Sequence, residues 1–200
     1  MSDGLDLGYA AGAFAGMDTS LLVGGMLFRN DNTAGALSST KIRTVFTTLD
    51  GGRLDSIQYE TPNISGFRGQ VELQPEGAWG IGALYDGKMG GLQVRGRAFY
   101  QNISGETSST AINGSQWQLG ASVKHDSGIS LTGLYGSADQ DTGKDHKVYA
   151  ATVGYTANMN SLGATGIGVH FEGTSDLAGD GIDGQAFGFG FERQQNTMAK

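Results

Sequence analysis

Apolar side chains recur at every second position over most of these 200 residues. Leu92, Val94, Gly96, Ala98 and Tyr100 alternate with Gln93, Arg95, Arg97, Phe99 and Gln101, where Phe99 is the one mismatch. Phe67, Gly69, Val71 and Leu73 alternate with Arg68, Gln70 and Glu72. Trp117, Leu119, Ala121 and Val123 alternate with Gln116, Gln118, Gly120, Ser122 and Lys124. Thr165, Ile167, Val169 and Phe171 alternate with Gly166, Gly168, His170 and Glu172. Only an extended strand places residues i, i+2 and i+4 on one side, so the chain is bound to sheet with one apolar and one polar face.

Eleven such segments are expected, at about 5–14, 19–28, 54–61, 65–73, 77–86, 90–101, 115–125, 128–137, 147–157, 162–173 and 183–193. Many approach ten residues, against about 5–6 for an ordinary strand and about 9–11 for a tilted strand that crosses a bilayer. The connections keep a rhythm. Short ones at 62–64, 87–89, 126–127 and 158–161 alternate with long ones at 29–53, 102–114, 138–146 and 174–182, and only 74–76 is short where a long one is due. Short turns on one rim and long loops on the other mark an up-and-down barrel. The stretch 29–53 has no pattern of its own, and such long loops usually carry function or lack order.

Composition removes other classes. Gly is 35 of 200 residues but Pro only 2, so the chain is neither collagen nor a Pro-rich linker. Lys and Arg number 13 against 20 Asp and Glu, which gives no basic footprint for nucleic acid. The longest apolar runs, such as 21–28, are far short of the ~20 residues of a spanning helix. There is no cysteine, which excludes disulfides, thiolate metal sites and Cys nucleophiles. No Ser lies in a G-x-S-x-G elbow, and His125, His146 and His170 are too scattered for a zinc motif, so the chain is not expected to be an enzyme or to hold a cofactor.

Two solvents can meet the apolar face. In a soluble all-β protein it is a buried core; in a membrane barrel it meets lipid while the polar face lines water. Membrane-length strands in consecutive hairpins favour the second. So do the aromatics near strand ends: Tyr59, Trp79, Tyr85, Tyr100, Trp117, Tyr135, Tyr149 and Tyr155. The polar-face candidates for lining a pore are Arg68, Gln70, Glu72, Gln93, Arg95, Arg97, Gln116, Gln118, Lys124, His170 and Glu172. Inward glycines (Gly80, Gly82, Gly166, Gly168, Gly188, Gly190) read as relief of crowding or as room for a loop or ligand.

The segment Ser56-Ile-Gln-Tyr-Glu-Thr-Pro-Asn-Ile-Ser-Gly-Phe67 resembles the R-Y-D-[ST]-P-x-F-x-G-F motif of Gram-negative porins, with Gln58 in place of the Arg. The strand, acidic turn and Trp79-Gly-Ile-Gly-Ala-Leu-Tyr85 that follow are similar to that family, as is the hairpin from Val153 to Gly163. The resemblance runs from about 19 to 195. It implies a 16-stranded, usually trimeric, water-filled outer-membrane channel for passive diffusion of small hydrophilic solutes and ions. The partners it implies are outer-membrane lipid and lipopolysaccharide.

If 54–61 matches the family's sixth strand, 29–53 becomes its inward-folding constriction loop, carrying Arg29, Asp31, Lys41, Arg43 and Asp50. An odd strand count, an opening Met1-Ser2-Asp3-Gly4 with no basic leader and a C-terminus without a final aromatic then suit a single domain that lacks strands and an export signal. A competing reading is a secreted or surface all-β adhesin or calcium-binding module. Asp139, Asp141 and Asp145 have spacing reminiscent of a calcium loop, and Asp176, Asp180 and Asp183 form a second acidic group, but no EF-hand pattern is completed.

Overall fold

The computed structural model describes residues 27–29, 37–41, 49, 55–102, 114–139, 143–160, 163–177 and 181–193. The described elements are strands and one 3-10 turn at Pro75–Gly77. Two short strands, β1 (Leu27–Arg29) and β2 (Leu37–Lys41), pair with each other. The remaining strands are β3 (Ile57–Glu60), β4 (Phe67–Leu73), β5 (Trp79–Met89), β6 (Leu92–Asn102), β7 (Ser115–His125), β8 (Ile129–Ala138), β9 (His146–Asn160), β10 (Gly163–Leu177) and β11 (Ile182–Arg193). They form one nine-stranded sheet in strict sequence order, every neighbour antiparallel. This is the up-and-down arrangement that the hairpin rhythm demanded.

The expected segments from 54–61 onwards each hold one of these strands. The first, 5–14, lies outside the described residues. Several boundaries differ: β3 begins at Ile57 and β9 runs on to Asn160, and two further differences change the connections. β5 runs on to Met89, so the expected turn at 87–89 becomes Gly90-Gly91. β10 and β11 extend to Leu177 and from Ile182, which shortens the expected long loop 174–182 to 178–181. In both places polar residues continue the ladder beyond the apolar stripe, because backbone pairing outlasts a change in side-chain chemistry. Inside 29–53, expected to lack a pattern, β2 is a strand.

The asymmetry of the rims is carried by two long connections, 103–114 and 139–145. One rim joins strands through 61–66, 90–91, 126–128 and 161–162; the other through 74–78, 103–114, 139–145 and 178–181. The porin-like motif builds the first of these turns. Ser65 and Gly66 both have positive φ, at 54° and 92°, and Ile64 and Phe67 exchange backbone hydrogen bonds of 2.9 and 3.0 Å across them. Two successive positive φ values give the turn whose twist matches a hairpin. Asn63 Oδ1 accepts from the Gly66 N–H at 2.8 Å, and Thr61 Oγ1 accepts from the Gly69 N–H at 2.9 Å. Gly66 also lies against the Asp86 carbonyl, where a Cβ would sit 2.5 Å away.

Register assigns every side chain to a face, because directly opposed residues share one. The apolar set of β4 opposes that of β5, and so on through β11. That face is open: Leu119 is 55% exposed, Val169 54% and Phe187 80%. No second layer buries it among the described residues. The tightly packed side is the polar one, where Glu72, Gln101, Gln116, Ser122 and Thr152 are buried.

A polar wall with an arginine cluster

All eleven residues expected to line a pore lie on the polar face. Arg68, Gln70 and Glu72 come from β4. Gln93, Arg95 and Arg97 come from β6 and oppose Lys124, Ser122 and Gly120 of β7. Gln116 and Gln118 share that face of β7, and His170 and Glu172 oppose Thr152 and Ala150 of β9. The mismatched Phe99 lies here too, its ring over Gly82, where a Cβ would meet it at 2.5 Å. At that inward glycine, crowding relief is the operative reading.

The structure brings several of these groups together. Arg68, Arg95 and Arg97 converge on Asp86 of β5. Asp86 Oδ2 accepts from Arg68 Nη2 at 2.9 Å and pairs with Arg97 Nη1 at 3.2 Å, while Oδ1 pairs with Arg95 Nε at 2.9 Å and accepts from Arg97 Nη2 at 3.3 Å. Arg97 is further held by the carbonyls of Tyr85 and Gly96, at 3.3 and 3.0 Å. Glu60 accepts from Arg68 Nη1 at 2.8 Å and from Gln70 Nε2 at 2.5 Å. Arg68, Asp86, Gly87, Lys88, Arg95 and Arg97 line an open hollow of about 420 Å³. Arg68, Lys88, Arg95 and Arg97 outnumber Asp86 there, so the hollow is basic in a chain of net charge −7.

Away from the cluster the wall is uncharged or hydrogen-bonded. Gln116 Nε2 donates to Gln101 Oε1 at 2.8 Å, Ser122 and Thr132 share a bond of 2.8 Å, and Gln74 Nε2 donates to Glu72 Oε1 at 3.1 Å. His170 shares a 2.7 Å bond with Thr152 and lies 3.3 Å from Glu172. Asp86, Ser122, Thr132, Thr152 and His170 occupy one transverse row of opposed positions across β5–β10, with Arg95 between the first two.

The opposite face carries an aromatic belt at each rim. All eight aromatics expected near strand ends lie on it. Trp79–Tyr100, Trp117–Tyr135, Tyr149–Phe171 and Phe171–Phe187 pack at 5.6, 5.4, 5.9 and 4.8 Å on the long-loop side, and Phe67–Tyr85 at 4.5 Å on the short-turn side. The 11 residues of β5, apolar on this face from Trp79 to Met89, extend about 33 Å along the strand. Tilted near 40°, that gives the ~25 Å apolar band of an outer-membrane barrel.

Of the residues expected in the inward loop, Arg29 ends β1 and Lys41 ends β2, while Asp31, Arg43 and Asp50 lie outside the described residues. Leu49 is described, and it is buried on the polar face with Ala138 and Val148. Among the calcium candidates, Asp139 accepts from the Ser115 hydroxyl at 2.5 Å, and Asp176 N–H donates to Asp183 at 3.1 Å. Asp145 is exposed, and Asp141 and Asp180 lie outside the described residues. No cluster of three metal-ligating side chains occurs among the described residues.

Sequence reading missed Asp86, Glu60 and Leu49, and it placed Gln101 on the polar face without counting it among the pore-lining candidates. Asp86 was legible in principle. A two-residue turn at Gly90-Gly91 fixes the hairpin register and sets Asp86 directly against Arg95.

Consecutive antiparallel hairpins, apolar outside and polar within, with aromatic belts and one long-looped rim, are the wall of an outer-membrane β-barrel. A family model of the Gram-negative porins matches residues 4–198, and the chain belongs to that family. No curated protein and no solved structure matches it.

Proposed function

We propose that this protein forms a water-filled channel through which small hydrophilic solutes and ions diffuse passively across the outer membrane. The observation that carries it is the division of the sheet: its apolar face is open, while all eleven polar candidates share the other side. Such a wall offers water and hydrogen bonds to a solute and requires no nucleophile, cofactor or bound metal. The mechanism is capture at a mouth, partial dehydration at the narrowest point and release, with flux set by solute size and by the field of wall charges. Outer-membrane lipid and lipopolysaccharide surround the barrel in this reading, and the assembled protein is a homotrimer.

The field is concentrated at the Asp86 cluster. It lies near the short-turn rim, so the two mouths differ in charge. The stretch 29–53 supplies the constriction, a reading supported by Leu49 lying against the polar face of β7–β9. Planar-bilayer recording tests the proposal. The expected result is stepwise ion conductance whose anion-to-cation permeability ratio falls in Arg95→Gln and Arg97→Gln. Folded protein that inserts without conducting overturns the channel; conduction with unchanged ratios removes both arginines from the pore wall.

A further inference from the structure

Three guanidiniums converge on one carboxylate at the short-turn end of the polar face, and the Lys88 ammonium lines the same hollow. Arg68, Lys88, Arg95 and Arg97 carry four positive charges there. Asp86 within the hollow and Glu60, paired with Arg68 beside it, carry two negative ones. The balance is two positive charges. No carboxylate other than Asp86 lines the hollow among the described residues. Register extends the basic strip along the rim, because Lys88 opposes Gln93, which in turn opposes Lys124.

Two features distinguish this hollow from a merely charged surface. The first is its floor. Leu84 opposes both Arg68 and Arg97 and is only 7% exposed, so an apolar side chain lies among the guanidiniums. Charges set over an apolar floor are screened less than charges in open water. The second is convergence. All three arginines reach the two oxygens of Asp86 within 3.3 Å, and the carbonyls of Tyr85 and Gly96 fix Arg97 further. Asp86 thus gathers the guanidiniums about one point and sets their positions before a solute arrives.

We infer that this hollow is a binding site for the dianionic phosphate group of small solutes, placed at the short-turn mouth. The inference deepens the diffusion-channel reading and rests on it for the solute's access to the site. A phosphate monoester carries close to two negative charges at neutral pH, which matches the excess of two positive ones. Its terminal oxygens radiate from one atom, as the arginines converge on one point. A dicarboxylate spreads the same charge over two separate groups, and only one of them fits that point. Guanidinium–phosphate bonds are charge-assisted and bidentate, so they hold more strongly than contacts between neutral groups. The consequence is a saturable step in otherwise passive permeation.

Three small anions test the site on the full chain. Methyl phosphate carries its charge on one phosphorus, dimethyl phosphate carries a single charge there, and succinate carries two charges on separate carboxylates. Each is added to single channels in a planar bilayer near neutral pH and at low salt, and the reduction of chloride current is titrated. The same anions are titrated calorimetrically into protein folded in detergent. The expected result is half-block by methyl phosphate at a concentration about tenfold below that of either other anion. In Lys88→Gln combined with Arg95→Gln, that concentration is expected to rise about tenfold or more.

Equal half-block by methyl phosphate and dimethyl phosphate overturns the dianion site. Equal half-block by methyl phosphate and succinate overturns its assignment to phosphate. An unchanged methyl phosphate value in the conducting double variant places binding elsewhere and overturns the inference. Should the double variant fail to fold, the ranking of the three anions on the unaltered protein decides. Tight binding of methyl phosphate in detergent by a protein that inserts without conducting supports the site and overturns the channel reading beneath it.

Discussion

Gln118 and Leu119 are neighbours in β7, and they face different solvents. Gln118 looks into the polar wall, where its amide meets Leu49 and its ring-bearing neighbour Phe99 is opposed to it. Leu119 stands 55% exposed on the outer side, between Ala98 and Tyr135. The same contrast repeats on every strand of the sheet. In a water-soluble protein the exposed side of a strand is the hydrated one, and here the order is inverted. The lesson concerns where stability comes from. A single-layer sheet has no dry core to bury, so its outer face depends on lipid, and its inner face depends on satisfied polar groups.

The largest expected effect breaks that inversion. Leu119→Arg puts a charge on the outer face at mid-strand and is expected to cost about 2–4 kcal/mol in phospholipid vesicles, read from the equilibrium folding transition. Gln58→Arg, on the polar face opposite Glu72, is expected to cost less than about 1 kcal/mol, because the new guanidinium meets water and a carboxylate. Equal penalties would mean that the two faces do not see different solvents.

A second test probes crowding on the inner face. Gly82→Ala brings a methyl group against the Phe99 ring and is expected to cost about 1 kcal/mol. Adding Phe99→Ala should recover most of it in a double-mutant cycle. An additive cycle would mean that the ring does not rest on Gly82.

The two faces also differ in what the sequence disclosed. Period-two alternation assigned all eleven polar residues and all eight belt aromatics to the correct sides, because a pleated strand offers no third direction. Partners were harder. Asp86 is the last residue of the expected strand 77–86, where nothing in the alternation names its partners. It becomes the centre of three guanidiniums only when β5 continues to Met89. Leu49 was hidden for another reason. Its contact with Gln118 spans 69 residues, and no local period encodes a docking of that range. The strand β2 was hidden by its polar Ser38-Ser39-Thr40 centre, which carries no apolar stripe.

Wall charge provides the next effect in size. Asp86→Asn removes the carboxylate that offsets Arg68, Arg95 and Arg97. One unit charge about 10 Å from a permeating ion in water is worth about 0.4 kcal/mol, favourable to the anion and unfavourable to the cation on its removal, so the anion-to-cation permeability ratio should rise about fourfold. Reversal potentials across a salt gradient measure it. An unchanged ratio would place the cluster away from the conducting path.

Salt separates the two faces most finely. Between 0.1 M and 1 M ionic strength the screening length falls from about 10 Å to about 3 Å. The Asp86 hollow is open to water, so the roughly fourfold effect of Asp86→Asn on the permeability ratio should shrink toward nothing over that range. The penalty of Leu119→Arg should stay within about 0.5 kcal/mol of its low-salt value, because hydrocarbon holds no mobile ions to screen the charge. A lipid-face penalty that titrated with salt would show that Leu119 meets water instead of acyl chains. A pore effect indifferent to salt would show that Asp86 acts by holding the arginines in place and not through its field.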